Sequence, residues 1–350
     1  MGEVIDIHTH MLNDQWLDTI LKHGGSYSLK ELQGQRAIHY DGAPFMTLLD
    51  GMFSYSKRIQ AMDDAGVDLA IISLTCPSVY WGGEEISAST AKMMNNDMAD
   101  QQKNYPDRIR WFATLPWQYP DRAVQELRES KAKGAVGVFV SASITGMSLT
   151  DHKFMPVWEE IDKIGLPVLV HPGAPPGVGE MDMERYNLVY SVGFMFDTTL
   201  SIARMIFDGF FDRYPNIDLI VCHAGGALPY LVGRFDTAFE NMPPCRDVIT
   251  QIPSQYFERL YFDSIAYTQD ALELCVNVAG SGRVLYGSDY PHNVGDMKGC
   301  LDRVDTLPPD VRNLVGEKML ASYSVYRNSQ VFIAFHTFSG VKGISSSSAP

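Results

Sequence analysis

Cysteine is scarce in this chain, and its placement excludes two common kinds of small protein. The 350 residues include five cysteines, and no two of them form a C-x-x-C pair. An odd number of widely spaced cysteines argues against a disulfide framework and against a zinc–thiolate cluster. We therefore expect reduced thiols and a cytoplasmic protein.

The sequence also lacks long apolar runs, and basic residues are outnumbered. No run of about 18 apolar residues is present, so no transmembrane helix is predicted. The acidic N-terminus shows no signal-peptide pattern. Lys and Arg number 28 against 42 Asp and Glu, which gives a formal net charge of −14. This balance argues against nucleic acid or anionic membranes as partners.

A dinucleotide-binding fingerprint is missing too, since no G-x-G-x-x-G follows the first apolar segment. Instead, short apolar segments alternate with amphipathic helical segments, and eight such units follow one another. Continuous apolar strands indicate a parallel sheet that is buried on both faces. The pattern favours the α/β class and a (β/α)8 barrel. The expected strands start at Val4 and continue at 67–74, 109–114, 135–140, 167–170, 217–222, 260–263 and 283–287.

Two segments depart from this repeat. We expect residues 1–319 to form one barrel domain, interrupted after the first strand by an irregular insertion at about 11–55. Its glycines and aromatic residues are typical of a lid or pocket wall. Residues 320–350 have no clear period and finish in a serine run, so we expect a tail whose end is disordered.

Polar side chains fall where the predicted strands end. His8 and His10 follow the first strand, His171 ends the fifth, His223 ends the sixth and Asp289 ends the eighth. All carboxyl ends of barrel strands share one rim, so these side chains are expected to converge. Histidines and a carboxylate suit a divalent ion of the zinc type, with room for water. The sequence therefore predicts a metal centre.

These motifs resemble those of the amidohydrolase superfamily. The segments that carry the resemblance are 4–10, 170–172, 222–226 and 287–291, and it extends over about residues 4–318. More narrowly, the chain resembles the decarboxylase branch typified by 2-amino-3-carboxymuconate-6-semialdehyde decarboxylase, which also includes hydroxybenzoate decarboxylases. The resemblance implies non-oxidative decarboxylation of a small aromatic or dienoic carboxylic acid. It also implies a homodimer and one Zn²⁺ ion, with Mn²⁺ as the alternative metal.

The resemblance assigns roles to single residues. The implied metal ligands are His8, His10, His171 and Asp289. His223 matches the catalytic histidine, and Asp289 is the other candidate proton donor. Arg234 matches an arginine that holds a substrate carboxylate in the neighbouring subunit. Asp197 is expected to orient a ligand or a helix.

The predicted pocket departs from that of the type enzyme. Where a second carboxylate-binding arginine is expected, this chain has Met46 beside Phe45. Tyr190 stands in place of a tryptophan, and His292 stands in place of a phenylalanine. We count all four, with Arg234, as substrate contacts. The altered pocket favours a related acid with a hydroxyl group ortho to its carboxylate.

Two routes and a rival function remain open. In one route, His223 takes a proton from water, which adds to the substrate before CO₂ leaves. In the other, the substrate binds the metal, and Asp289 or His223 protonates the ring carbon. The rival is a hydrolase of the same superfamily that cleaves a lactone, amide or C–C bond. Strand four ends at 138–141 without the Lys or Glu that bridges two metals, which favours one metal.

Overall fold

The structure is a computed structural model that describes residues 3–32, 34–173, 175, 177–183, 185–312 and 315. The predicted 320–350 tail lies outside these residues. In chain order, the strands are β1 (Ile5–His10), β2 (Tyr27–Leu32), β3 (Gln35–Tyr40), β4 (Ala43–Thr47), β5 (Leu69–Ser73), β6 (Ile109–Thr114), β7 (Gly137–Ser141), β8 (Ser143–Ile144), β9 (Met147–Ser148), β10 (Val168–His171), β11 (Leu219–Val221), β12 (Leu260–Asp263) and β13 (Val284–Leu285).

Helices follow most of the strands. They are α1 (Asp14–His23), α2 (Tyr55–Ala65), α3 (Glu84–Asn104), α4 (Pro120–Ala132), α5 (Met155–Ile164), α6 (Phe194–Phe207), α7 (Phe210–Arg213), α8 (Leu228–Asn241), α9 (Gln269–Ala279) and α10 (Met297–Asp305). Local signals set several of their ends. Ser54 accepts a hydrogen bond from the backbone of Lys57 and begins α2, and Gly66 ends it in the left-handed conformation. None of the described helices is both long and apolar enough to span a bilayer.

Eight parallel strands form the barrel that the sequence predicts. Their order is β1-β5-β6-β7-β10-β11-β12-β13. The ring closes because the chain after β13 pairs with β1: the backbone of Ile7 donates to Tyr286 O at 3.0 Å, and that of Asp289 donates to His8 O at 2.9 Å. The prediction of a (β/α)8 barrel is confirmed.

The barrel interior below the rim is apolar. One buried cluster draws side chains from around the whole ring, so its members meet inside the barrel. They are Ile5, Ile7, Leu69, Ile71, Phe112, Phe139, Leu169, Ile220, Cys222 and Leu285. Alternate residues of the same strands, such as Val138 and Val140, pack outward against the helices in a second, larger cluster. The polar rim therefore lies directly above an apolar barrel interior.

The insertion after β1 is more regular than predicted. Residues 11–55 contain α1 and an antiparallel sheet of order β2-β3-β4, so the expectation of an irregular segment is wrong. Trp16 of α1 and Ile38 of β3 are fully buried in an apolar cluster that the insertion shares with the segment after β5 and with α3, and this burial stabilises strands that the sequence pattern did not reveal. A lid role for the insertion stays a prediction.

Candidate metal centre

The carboxyl ends of four barrel strands bring the predicted ligands together. Single ligand atoms of His8, His171, His223 and Asp289 all lie within 4.8 Å of one another. His10 joins them, because its Nε2 lies 3.1 Å from Nε2 of His8. All five side chains are buried. The convergence that strand topology predicts is present.

Hydrogen bonds set the tautomers of three histidines. The Nδ1 contacts are His8 to Asp263 Oδ2 at 2.6 Å, His171 to Pro172 O at 2.8 Å and His10 to Ser73 Oγ at 3.1 Å. A carboxylate and a carbonyl can only accept, so His8 and His171 carry their protons on Nδ1. The hydroxyl of Ser73 is directed to Thr9 O at 3.5 Å, which leaves its oxygen to accept from His10. Each Nε2 therefore presents a lone pair to the centre.

Asp289 contributes an oxygen that lacks a hydrogen bond. Its Oδ1 is buried and accepts none from the described residues, although it lies 3.2 Å from His10 Nε2 and 3.5 Å from His8 Nε2. Lone pairs that face one another at this range repel unless a cation lies between them. Donor atoms about 3.3 Å apart are expected around a tetrahedral zinc with bonds of about 2.0–2.1 Å. The donor set thus fits a divalent metal ion.

Their surroundings keep His10, His171 and Asp289 in the protonation states that metal binding needs. Burial lowers the pKa of His10 to about 3 and holds the pKa of His171 well below its ordinary value. Burial opposes the charge of Asp289, but its contacts with His10 and His223 hold its pKa well below the usual range. The two imidazoles are neutral and the carboxylate is ionised near pH 7.

Asp263 is a central residue that the sequence reasoning missed. This buried carboxylate ends β12 and accepts four hydrogen bonds. The donors are His8 Nδ1 at 2.6 Å, His223 N at 2.7 Å, Ala224 N at 2.8 Å and Ile265 N at 3.0 Å. Burial opposes its ionisation, but the bond from His8 outweighs this and lowers the pKa of Asp263. Its position at the end of a predicted barrel strand is the sequence feature from which its place at the same rim could have been predicted.

His223 stands in a strained turn that Asp263 holds. The φ angles of His223 and Ala224 are 56° and 51°, in the left-handed region that L-residues rarely adopt. Its Nε2 lies 3.6 Å from Asp289 Oδ2, whereas its Nδ1 is buried and has no hydrogen-bond partner among the described residues. His223 therefore lacks the Nδ1 anchor that His8, His10 and His171 have.

Arg58 supports the His-x-His segment from outside the barrel. Its side chain is 0% exposed and donates to Thr9 Oγ1 at 2.6 Å, to the backbone oxygen of His10 and to Met11 Sδ at 3.0 Å. The guanidinium also lies 4.9 Å from the ring centre of Tyr290. One cation therefore connects both sides of the barrel closure.

The predicted substrate contacts divide into two groups. His292 is near the metal centre: its ring lies 5.1 Å from that of His10, and its Nε2 contacts Thr75 Oγ1 at 3.0 Å. Tyr190 contacts Tyr267, which follows β12, through their hydroxyl groups at 2.8 Å. Phe45 and Met46 instead belong to the apolar cluster of the insertion, and none of their described contacts reaches a metal-centre side chain.

The last two predicted residues lie on helices. Asp197 is buried at the start of α6, and its Oδ2 accepts from Gly173 N at 2.9 Å. Burial raises its pKa to about 6. This contact ties α6 to the segment after His171, in agreement with an orienting role. Arg234 is exposed on α8 and makes no ion pair with the described acidic residues.

Comparisons with known proteins agree with this geometry. A family model described as "Amidohydrolase" matches residues 5–317. The chain is 31% identical over 300 residues to 2-amino-3-carboxymuconate-6-semialdehyde decarboxylase of Dictyostelium discoideum, covering 84% of this chain and 83% of the relative. The solved structure of 5-carboxyvanillate decarboxylase from Sphingomonas paucimobilis superposes with a TM-score of 0.80 at 22% identity, covering 92% and 98% of the chains. A dihydroxybenzoic acid decarboxylase from Polaromonas sp. JS666, solved with manganese and 2-nitroresorcinol, gives 0.77 at 22% identity, covering 93% and 98%.

Proposed function

This chain belongs to the amidohydrolase family, and from that premise we propose that it is a metal-dependent, non-oxidative decarboxylase of a small aromatic or dienoic carboxylic acid. The observation that carries the proposal is the buried donor set: ligand atoms of His8, His171, His223 and Asp289 lie within 4.8 Å of one another, and His10 Nε2 lies 3.1 Å from His8 Nε2. Relatives named as decarboxylases of such acids support the reaction and the substrate class.

We assign the metal to His8, His10, His171 and Asp289. Their Nδ1 anchors and the unpartnered Asp289 oxygen support this choice over a set that includes His223, whose Nδ1 is unanchored. The end of β7 at Ser141 offers no Lys or Glu to bridge a second metal, which supports a single ion. Zn²⁺ suits the nitrogen-rich donors, and the manganese in the Polaromonas structure supports Mn²⁺ as the alternative.

The reaction breaks the bond between a substrate carbon and its carboxylate, and the electron pair stays on that carbon until it takes a proton. A bound divalent ion would act as an electrophile toward substrate oxygens and so stabilise the negative charge. His223 is placed to deliver the proton from Nε2, the atom that faces Asp289 Oδ2 at 3.6 Å. Asp289 orients that imidazole. His292 and Tyr190 are placed to contact the substrate.

The test is replacement of one ligand with a matched surface control. His171→Ala should lose bound metal and at least about 10³-fold in CO₂ release, because metal and proton transfer depend on the same cluster. His152→Ala, at an exposed histidine outside the metal centre, should retain both. Full activity of a metal-free His171→Ala protein would refute the ligand assignment. Acid production from esters or amides without CO₂ release would favour the hydrolase alternative.

We further propose a homodimer that pairs α6 and α8. Val192, in the π-helical turn before α6, recurs at four-residue spacing with Phe196 and Leu200 of α6, and all three are exposed, so they form an apolar stripe. Tyr230 of α8 is 80% exposed and lies one turn before Arg234, which pairs with none of the described acidic residues. A partner would cover this surface and give Arg234 an anion. Sedimentation of wild-type protein and of Phe196→Asp should give dimer and monomer, respectively; dimers from both would contradict the proposal.

All five cysteines are free thiols, and four of them are buried. Free thiols persist in reducing compartments, which supports our proposal of a cytoplasmic protein.

A further inference from the structure

We propose that Tyr190 and Tyr267 form one recognition element, here called the phenol pair, for a second hydroxyl group on the substrate ring. The two hydroxyl oxygens are 2.8 Å apart, so one donates to the other. The inference deepens the proposed function, because it takes a ring acid bound at the metal centre as the ligand. Tyr267 was not among the residues that the sequence pointed to.

The segment that carries Tyr267 is rigidly attached to the metal centre. It follows β12, and Ile265 N donates to Asp263 Oδ1 at 3.0 Å, the carboxylate that also binds His8. Ser264, Ile265 and Ala266 are buried, whereas Tyr267 is 52% exposed. The segment after β12 is thus held at the barrel rim, and the partly exposed side chain there is that of Tyr267.

Tyr190 reaches the same place from the segment after β10. It lies in a π-helical turn, Val189–Gly193, a rare geometry that occurs frequently at functional sites. Tyr267 follows Asp263, the last residue of β12, by four residues, and the 2.8 Å contact between the two hydroxyl groups brings Tyr190 to the same place. The phenol pair therefore lies at the barrel rim that carries the metal centre. A ligand that contacts Asp289 or its metal has the phenol pair beside it.

The chemistry of the pair selects a neutral oxygen substituent. One phenol proton is used between the two tyrosines, and the other remains free to donate to a ligand, while oxygen lone pairs remain free to accept. A ring hydroxyl can use both functions. A second carboxylate would favour a cation, but neither tyrosine contacts Lys or Arg in the described part of the chain. Arg58 is engaged with β1, and Arg36 lies over Phe53 at 5.8 Å.

The rate test compares substrates that differ in one hydroxyl group. With the metal-loaded enzyme, kcat/KM is measured for 2-hydroxybenzoate and for dihydroxybenzoates with the second hydroxyl at each other position. We expect wild type to prefer one dihydroxybenzoate by about 10-fold, the value of one good hydrogen bond. Tyr267→Phe and Tyr190→Phe should each reduce that preference to within about 2-fold. Tyr186→Phe, at an exposed tyrosine of the same segment, should keep the preference.

A binding test separates this inference from the proposed function. Calorimetric Kd values for resorcinol and for phenol need no turnover, so they report on the phenol pair even if wild type releases CO₂ from no benzoate. Tighter binding of resorcinol by wild type, lost in both Phe variants and kept in Tyr186→Phe, supports the inference. An equal affinity of wild type for the two ligands, or a preference that survives both Phe variants, overturns it.

Discussion

Replacing Asp263 with Asn tests how the metal centre is held together. Each carboxylate oxygen of Asp263 accepts two N–H donors: Oδ2 accepts from His8 and His223, and Oδ1 accepts from Ala224 and Ile265. An asparagine has one oxygen and one NH₂ group. Whichever way the amide is turned, its NH₂ faces two donors, so two hydrogen bonds are lost and two buried N–H groups remain unsatisfied.

The expected magnitude follows from that count. Hydrogen bonds to a charged acceptor contribute about 1.5–3 kcal/mol each, so the loss of two should reduce the free energy of unfolding by about 3–6 kcal/mol. Metal affinity should fall by about 10–100-fold, as is typical when the partner of a ligating histidine is removed. If the NH₂ faces His8, that ring also moves its proton to Nε2, where the metal should bind.

The assay is chelator competition for Zn²⁺ or Mn²⁺, together with urea unfolding of the metal-free protein. Asp236→Asn is the matched control, because Asp236 accepts one peripheral hydrogen bond, from Ser254 N at 2.8 Å, which an amide oxygen can still accept. It should change neither quantity appreciably. If Asp263→Asn binds metal within about 2-fold of wild type and unfolds at the same urea concentration, the reasoning is refuted.

Three further perturbations test other parts of the molecule. In metal-free protein, the folded pKa values of His10 and His171 lie below the ordinary 6.5, so the unfolded chain binds more protons. Each of these two histidines should therefore lower the free energy of unfolding by about 1.4 kcal/mol for every pH unit below about 6.5. The stability measured by thermal unfolding should fall less steeply with decreasing pH in His171→Ala than in wild type, and equal slopes would contradict this. Arg58→Met should lower the unfolding free energy by about 3–5 kcal/mol, because Thr9 Oγ1 and the backbone oxygen of His10 lose their buried, charged hydrogen-bond donor; urea unfolding at or near the wild-type midpoint would count against it. Gly225→Ala should destabilise by about 2–5 kcal/mol, because φ is +78° and a Cβ would lie 2.5 Å from the Phe262 ring; calorimetry that finds less than 1 kcal/mol would rule out the strain.

The barrel and its rim could be predicted because both follow from short-range rules. Continuous apolar segments indicate a parallel sheet, and the parallel arrangement puts every strand end on one side. His171 therefore meets Asp289 even though 118 residues separate them. Such convergence needs only the strand order, which is why the five polar side chains of the centre could be assigned before any coordinates.

The regular alternation of side-chain direction along a strand does not explain how β1 places its two histidines. Ile5 and Ile7 belong to the interior cluster, so a regular strand would turn His8 and His10 outward. The pairing register on β5 instead shifts between Asp6 and Thr9, and a bulge of this kind re-aims the following side chains. The sequence pattern alone did not reveal the shift.

The role of Asp263 could not be predicted for a different reason. Its importance depends on four donors that come from three separate segments, and a lone acid at a strand end does not reveal them. The insertion was missed because its strands are half exposed and lack a clear period, so the burial of Trp16 and Ile38 became visible only in three dimensions.

The closure of the barrel implies an order of events during synthesis. His8 and His10 leave the ribosome well before Asp289, whose backbone bond to His8 O closes the barrel. A nascent chain therefore exposes the imidazoles of His8 and His10 long before the other metal ligands have been synthesised. The complete metal site can form only after the eighth barrel strand pairs with the first. A metal ion bound there then stabilises the closed barrel.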